Sequence, residues 1–426
     1  MKLDFLKAKE SKNAMWLIGG KVIQMILSLF VGVISARYLG PANYGLVSYG
    51  TALTSFFMSF CTLGINSIIV KEFFDYPDEQ GKALGSAIFM RLISSLCSSV
   101  LVICVSFILD YGDWETIVVV GLCSLSLVFH IFDTINHWFQ SQYKSNISAI
   151  ATLIAYVATS AYKVVLLILN KSVLWFAFAS ALDYIVLSIV LLAFYKKNNG
   201  PKFSVSWAKG KSLLGQSYHY ILSGMMVAIY GHTDKLMLKQ MLDEMSVGYY
   251  STATAICGMW TFILAAIIDA MYPTIIKSFK EGKEAFDKKN RQLYAIVFYI
   301  SVFVSVMFGL FGDIAIGILY GEAFKPAALP LKIVTWYTAF SYLGVARNAW
   351  MVCNQKQKYI KRLYIFAVII NVCLNYILIP VWGAAGAAFA SLVTQMFTSI
   401  ILPLFVKATR PNAILMLEAI LLKDVF

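Results

Sequence analysis

Long apolar runs separated by short polar stretches repeat along the whole chain. A helix needs about 20 mostly apolar residues to cross a bilayer. On that measure the runs predict twelve transmembrane helices, at 14–37, 44–70, 83–109, 115–139, 147–169, 172–195, 213–240, 246–276, 292–318, 327–353, 359–380 and 384–406. The first run follows a basic MKLDFLKAKESK. It is longer than the apolar region of a signal peptide and no small-residue cleavage site follows, so it is expected to persist as a helix. After 406 the sequence offers ILMLEAILL, which is too short to cross. The expected fold is all-α and polytopic.

Composition agrees with the pattern. Of 426 residues, 60% are hydrophobic and 13% charged, and the mean hydropathy is +0.74. Soluble domains carry about 45–50% apolar and about 25% charged residues. A net charge of +13 would suggest nucleic acid in a soluble chain. Here the charges lie between the apolar runs, so no nucleic-acid partner is expected and their sidedness carries the information. The termini and even-numbered connections hold 25 of the 35 Lys and Arg residues, and the odd-numbered connections hold Arg37, Lys171, Lys239 and Lys325. The positive-inside rule then places both termini in the cytoplasm. The longest interior segments, 196–212 and 277–291, are too short to fold as domains, which counts against a membrane enzyme built on loops. The seven cysteines fall in or beside apolar runs without CxxC spacing and read as small interface fillers.

The two halves echo each other. YLGPANYGLVSYGTAL follows the first span and MLDEMSVGYYSTATAI the seventh. Aligning Leu39 with Leu242 brings Gly45 onto Gly248. Farther on, Trp138 matches Trp350, and AFAS at Ala177–Ser180 recurs at Ala388–Ser391. Each half holds an even number of spans, so the repeat is parallel, with a pseudo-two-fold axis along the membrane normal. The expected organisation is a six-helix bundle at 1–195, a cytoplasmic linker at 196–212 and a second six-helix bundle with a short cytoplasmic tail at 213–426. Transporters built on such repeats hold substrate between the halves.

Charges inside the membrane are the candidate chemistry, since each costs roughly 2.5–3.5 kcal/mol at a helix centre on insertion scales. At about 1.5 Å per residue, Lys21 lies roughly 10 Å into the first span and Arg91 about 12 Å into the third. Lys163 and the Asp234–Lys235 pair lie in the outer halves of the fifth and seventh spans, Asp183 mid-span in the sixth, and Asp269 in the inner half of the eighth. Lys332 and Arg347, nearer the ends of the tenth, are placed to snorkel. Lys21, Gln24 and Ser28 share one helix face and are read as lining a cavity. The stripes His130, Asp133, Thr134, His137, Ser141 and Asn371, Asn375 either line a cavity or glue helices together. The two histidines are seven residues apart, unlike the i, i+4 pair of zinc helices, so no metal is expected. An interior carrying Lys21, Arg91 and Lys163, with Arg37 at its outer mouth, prefers an anion such as a phosphate. Pairing with Asp183 or Asp269 would reduce that preference. Asp234 and Lys235 point about 100° apart on their helix and are not expected to pair. His232, two positions from Asp234, is read as facing elsewhere.

Three segments carry a family resemblance: ARYLGPANYG at Ala36–Gly45, HWFQSQYKS at His137–Ser145, and TDKLMLKQML with VGYYSTA at Thr233–Ala253. Over nearly its whole length the chain resembles the Wzx-type flippases of O-antigen and capsule repeat units, in the multidrug/oligosaccharidyl-lipid/polysaccharide (MOP) exporter superfamily. Members often have a glycine and an acid where this chain has Ser141 and Tyr143, so no acid is assigned a role there. The resemblance implies a MATE-like pair of bundles in the bacterial inner membrane. It implies movement of undecaprenyl-diphosphate-linked oligosaccharide from the cytoplasmic to the periplasmic leaflet by alternating access. No cofactor follows from it beyond H+ or Na+ coupling, for which Asp183, Asp234 and Asp269 are the positions to consider, with Lys235 beside them in the cavity. A polysaccharide polymerase and a chain-length regulator are the implied protein partners. Three readings compete: a multidrug/cation antiporter of the same superfamily, a lipid II flippase (usually fourteen spans), and a membrane-embedded polymerase or glycosyltransferase.

Overall fold

The computed structural model describes residues 9–425, with side chains from Gln24 onward. Among these, 90% are helical and none is in a strand. Among the described residues eight helical stretches are long and apolar enough to cross a membrane, and the protein is a multi-pass membrane protein. In chain order the helices are α1 (Lys9–Thr62), α2 (Asn66–Asp75), α3 (Gln80–Leu109), α4 (Trp114–Phe129), α5 (Thr134–Ser141), α6 (Ser145–Ile168) and α7 (Val173–Lys197). They continue with α8 (Trp207–Met241), α9 (Glu244–Glu281), α10 (Lys283–Tyr320), α11 (Ala328–Ala346), α12 (Asn348–Cys353), α13 (Lys358–Met396), α14 (Leu402–Phe405) and α15 (Arg410–Ile420).

Two of these traces bend where the apolar pattern predicts a connection. α1 bends at Gly40, whose φ of +72° a residue with a Cβ rarely adopts, and Pro41 follows. α13 bends at Gly383, just beyond Pro380. Elsewhere the reverse holds, and expected spans are broken. A turn at Leu63 and Gly64 separates α1 from α2. One turn of 3-10 helix at His130–Asp133 separates α4 from α5, and Arg347 separates α11 from α12. A π-turn at Phe397–Ile401 interrupts the final span. These findings correct the unbroken helices expected at 44–70, 115–139, 327–353 and 384–406. Apolar runs record membrane thickness and carry no mark of a break whose backbone groups are satisfied by the protein.

The chain divides into two compact units. One takes in residues up to Leu39 and Leu46–Ala228; the other takes in Gly40–Gly45 and Ile229 onward. The first unit's core joins Ile69 and Phe73 of α2, Leu84 of α3, Phe139 of α5 and Leu191 of α7. The second unit's core joins Leu264 of α9, Val297 of α10, Trp350 of α12 and Met416 of α15. Phe303, Met307, Leu310, Ile314 and Ile318 stand exposed along α10. Their spacing of three and four residues makes one helix face, the surface a helix offers to acyl chains.

Close approach explains two glycines of the repeated motif, both in the second unit. A Cβ on Gly45 would fall 1.8 Å from the Glu244 carbonyl oxygen, and one on Gly248 would fall 2.0 Å from that of Pro41. The segment after α7 is anchored within the first unit. The Ser204 amide donates to the Gly81 carbonyl (3.2 Å), the Ser206 amide to Ser86 Oγ (2.9 Å), and the Tyr195 hydroxyl to the Pro201 carbonyl (2.5 Å). Residues 198–206 thus form a strap lying on α3.

Candidate functional site

Within the first unit a cavity of about 220 Å³ opens between α1, α6 and α7. Tyr156, Thr159, Ser160 and Lys163 line it from one face of α6, at i, i+3, i+4 and i+7. Asp183 faces the same space from α7 and accepts a hydrogen bond from Thr159 Oγ1 at 3.3 Å. Ser28 of α1 and Ser180 and Tyr184 of α7 add to the polar lining. Ser28 lies four residues from Gln24 and seven from Lys21, so the expected polar stripe of the first span reaches the cavity at its Ser28 end. The Lys21 side chain lies outside the described residues. Gln24 is half-buried and is not part of the lining, and Arg37 is exposed near the bend of α1.

Arg91 is placed differently from the expectation. It is 0% exposed and borders neither this cavity nor the one below. Its Nη1 donates to Thr134 Oγ1 (2.5 Å) and Asn66 Oδ1 (3.2 Å), and its Nη2 to the His130 carbonyl (3.1 Å), with His130 Nδ1 at 2.7 Å. The guanidinium bridges the break between α4 and α5, where a carbonyl has lost its helical partner. A buried cation needs oxygen partners wherever they are available, and here the protein supplies them. In this structure the Arg91 guanidinium holds the α4–α5 break and lines neither of these two cavities. Arg347, expected to snorkel, is likewise buried (6% exposed) and donates from Nη1 to the Thr398 carbonyl at 3.0 Å, beside the π-turn. Lys332 pairs with Asp313 at 2.5 Å.

In the second unit a cavity of about 410 Å³ is bordered by α8, α9, α11 and α13. Asp234 is 5% exposed at its wall. Its carboxylate accepts from Asn375 Nδ2 (2.7 Å), Ser391 Oγ (2.6 Å) and, in a very short contact, the Tyr250 hydroxyl. Asn371 extends the network, donating to Ser391 Oγ at 3.2 Å and accepting from Asn375 Nδ2 at 3.1 Å. The Asn371–Asn375 stripe therefore glues helices together. Asp234 is tied to α9 and to both limbs of α13 by neutral donors, with no Lys235 hydrogen bond among them.

Lys235 and His232 border the same cavity. This corrects the expectation that His232 and Asp234 face apart. Tyr230, Gly231, His232, Asp234 and Lys235 all line the space, so α8 projects into it and presents more than one face. Asp269 is exposed on α9 and lies outside this cavity. Among the described residues no group of three His, Cys, Asp or Glu side chains could hold a metal ion. Sequence reasoning missed the donors Tyr250 and Ser391, although both lie in motifs it had noticed, VGYYSTA and AFAS. It also missed the α6 stripe, whose helical spacing was legible.

The family model described as polysaccharide biosynthesis protein matches residues 11–279. The capsular polysaccharide biosynthesis protein CapF of Staphylococcus aureus is 20% identical, over 90% of this chain and 96% of its own. Among solved structures, lipid II flippase MurJ in an inward closed conformation superposes with a TM-score of 0.73 at 15% identity, covering 95% of this chain and 92% of that one. An inward-facing multidrug resistance MATE family transporter of the MOP superfamily gives 0.70 at 14% identity, covering 93% and 99%. The fold is thus the one these transporters share, and the chain belongs to the polysaccharide biosynthesis protein family.

Proposed function

We propose that the protein is a flippase that carries undecaprenyl-diphosphate-linked oligosaccharide repeat units, of the O-antigen or capsule type, from the cytoplasmic to the periplasmic leaflet. Membership in the polysaccharide biosynthesis family carries this reading. The likeness to MurJ and MATE cannot, because a lipid flippase and a drug exporter share that fold. In this reading the bent traces at Gly40 and Gly383 each count as two spans. With α8 and the α11–α12 segment counted as the seventh and tenth, the eight apolar stretches become twelve spans, in two six-helix bundles with both termini in the cytoplasm. Alternating access moves the substrate headgroup through the membrane while its lipid tail stays in the bilayer.

The polar cavity between α1, α6 and α7 supplies the headgroup contacts. Lys163 offers a cation to the diphosphate, and Thr159, Ser160 and Tyr156 offer hydroxyls to phosphate or sugar. Lys21, seven positions before Ser28 in the sequence, is the second cation in this reading. Asp183 tempers the positive field at that site. Asp234 is the coupling residue. Binding of H+ or Na+ weakens its hold on the donors of α9 and α13, and so links ion occupancy to helix packing. Tyr230, Tyr250 and Tyr337 near a carboxylate also suit an organic cation, which favours a multidrug antiporter as the second reading. Lys235 in the same cavity opposes it.

The test is complementation in a strain whose surface polysaccharide depends on this gene. K163A is expected to lower surface polysaccharide at least tenfold, the scale of one lost charge-assisted contact, while K163R retains it. Normal polysaccharide from a normally expressed K163A overturns the headgroup assignment.

A further inference from the structure

A third cavity lies away from both polar sites. It occupies about 800 Å³ in the second unit, where the connections around residues 277–291, 354–358 and 406–410 converge. Those connections all belong to the side on which the sequence concentrates lysine and arginine. Lys283, Arg291, Lys356, Lys407 and Arg410 border it, against two carboxylates, Asp287 and Glu418. Glu418 is already engaged, accepting from Arg291 Nη1 at 2.8 Å. The Arg291 Nε is buried and has no hydrogen-bond partner among the described residues. A buried donor without an acceptor is unfavourable. Lys283, Lys407 and Arg410 are exposed and Lys356 is half-exposed, so their ammonium and guanidinium groups are available to a ligand. The N-terminal end of α15 borders the cavity through Arg410 and Pro411, and its dipole adds positive potential.

Part of the lining is apolar. Phe279, Phe286, Trp350, Ile414 and Leu415 contribute to it. A lining that is partly basic and partly apolar matches an amphipathic anion better than a bare one, and basic pockets at a membrane surface are a known way of holding phospholipid headgroups. The volume falls in the range of ordinary ligand sites.

We propose that this cavity is a phosphate-binding site that takes the headgroup of an anionic membrane phospholipid, with the apolar lining against the first carbons of its chains. Free phosphate shares the anion chemistry and lacks the apolar part. The site is separate from the polar cavities assigned to transport, and its ligand can be bound without transport taking place.

The experiment uses the purified full chain in detergent. Thermal unfolding is followed with added phosphatidylglycerol, with added phosphatidylcholine, and with inorganic phosphate alone. Phosphatidylglycerol is expected to raise the melting temperature beyond phosphatidylcholine. K407A/R410A is expected to weaken its apparent affinity about thirtyfold, at roughly 1 kcal/mol per basic residue. The charge-preserving K407R/R410K keeps the shift, and so does K196A/K197A, a control at the end of α7. If inorganic phosphate alone gives the full shift, and K407A/R410A abolishes it, the site stands with free phosphate as its ligand. No shift with either ligand, or an undiminished shift in K407A/R410A, overturns the proposal.

Discussion

Asp234 shows how a charge in the membrane is made tolerable without an opposite charge bonded to it. Three neutral donors converge on its carboxylate, from Tyr250, Asn375 and Ser391. Hydrogen bonds to a charged group contribute about 1.5–3 kcal/mol each, and stranding several buried donors is worse than losing one bond. D234A is therefore expected to lower thermal stability by about 2–3 kcal/mol or more, and S391A by about half of that. Unfolding of the purified variants checks this, and equal losses from both would refute the hub. Lys209 presents the opposite case, at the start of α8. It contacts Glu72 Oε1 (2.5 Å) and Glu79 Oε2 (3.0 Å) and lies 4.2 Å from the centre of the Tyr76 ring. Partial burial pulls its pKa down, but hydrogen bonds and charge from Glu72 and Glu79 outweigh that and raise it above the usual 10.5. A raised lysine pKa contributes stability that is fully present below 10.5 and lost as pH rises through the folded value. The melting-temperature gap between wild type and K209M should hold steady from neutral pH to about that point and close beyond it. A gap that widens with alkalinity contradicts the pairing.

Helices here are defined as much by their interruptions as by their apolar faces. Both interruptions with a buried arginine follow one logic: Arg91 serves the carbonyl of His130 and Arg347 that of Thr398. Neither break could be read from the sequence. HIFD and FTSII contain no proline, and the apolar pattern continues across them. The bend at Gly40 was legible, because Gly-Pro between two apolar runs marks a connection. The strap at 198–206 was legible as a polar segment and nothing more, since its seat is made by glycines on another helix. A Cβ on Gly81 would fall 2.4 Å from the Lys202 carbonyl oxygen, and one on Gly85 2.4 Å from that of Ser204. G85A is expected to lift the strap and lower stability by about 1–3 kcal/mol, the scale of overpacking. Limited proteolysis within 198–206 should quicken in step. G121A, with nothing within 4 Å of its new methyl group, serves as the neutral control. Unchanged cleavage in G85A would show that the strap is not seated there.

For the whole molecule, twelve spans make a prediction that eight do not. A reporter active only in the periplasm should be active when fused after Gly112 or Glu322. It should be silent after Asn199 or Gly282. Activity at either of the last two positions breaks the twelve-span topology and the cytoplasmic assignment of the termini together.

The sequence by itself determined the membrane class, the all-helical architecture and the family resemblance. Bilayer thickness and the cost of bare backbone act locally along the chain, so they leave their mark in runs and short motifs. Tertiary structure alone decided which polar groups meet. Asp234 and Asn375 are separated by 141 positions, and Arg91 and Thr134 by 43. Depth in a span revealed that such groups need partners but not which ones. Arg91 turned away from the cavity to satisfy a broken helix, whereas Lys163 and Asp183 faced it. Those outcomes depend on helix neighbours and on breaks in the backbone, neither of which the apolar pattern records.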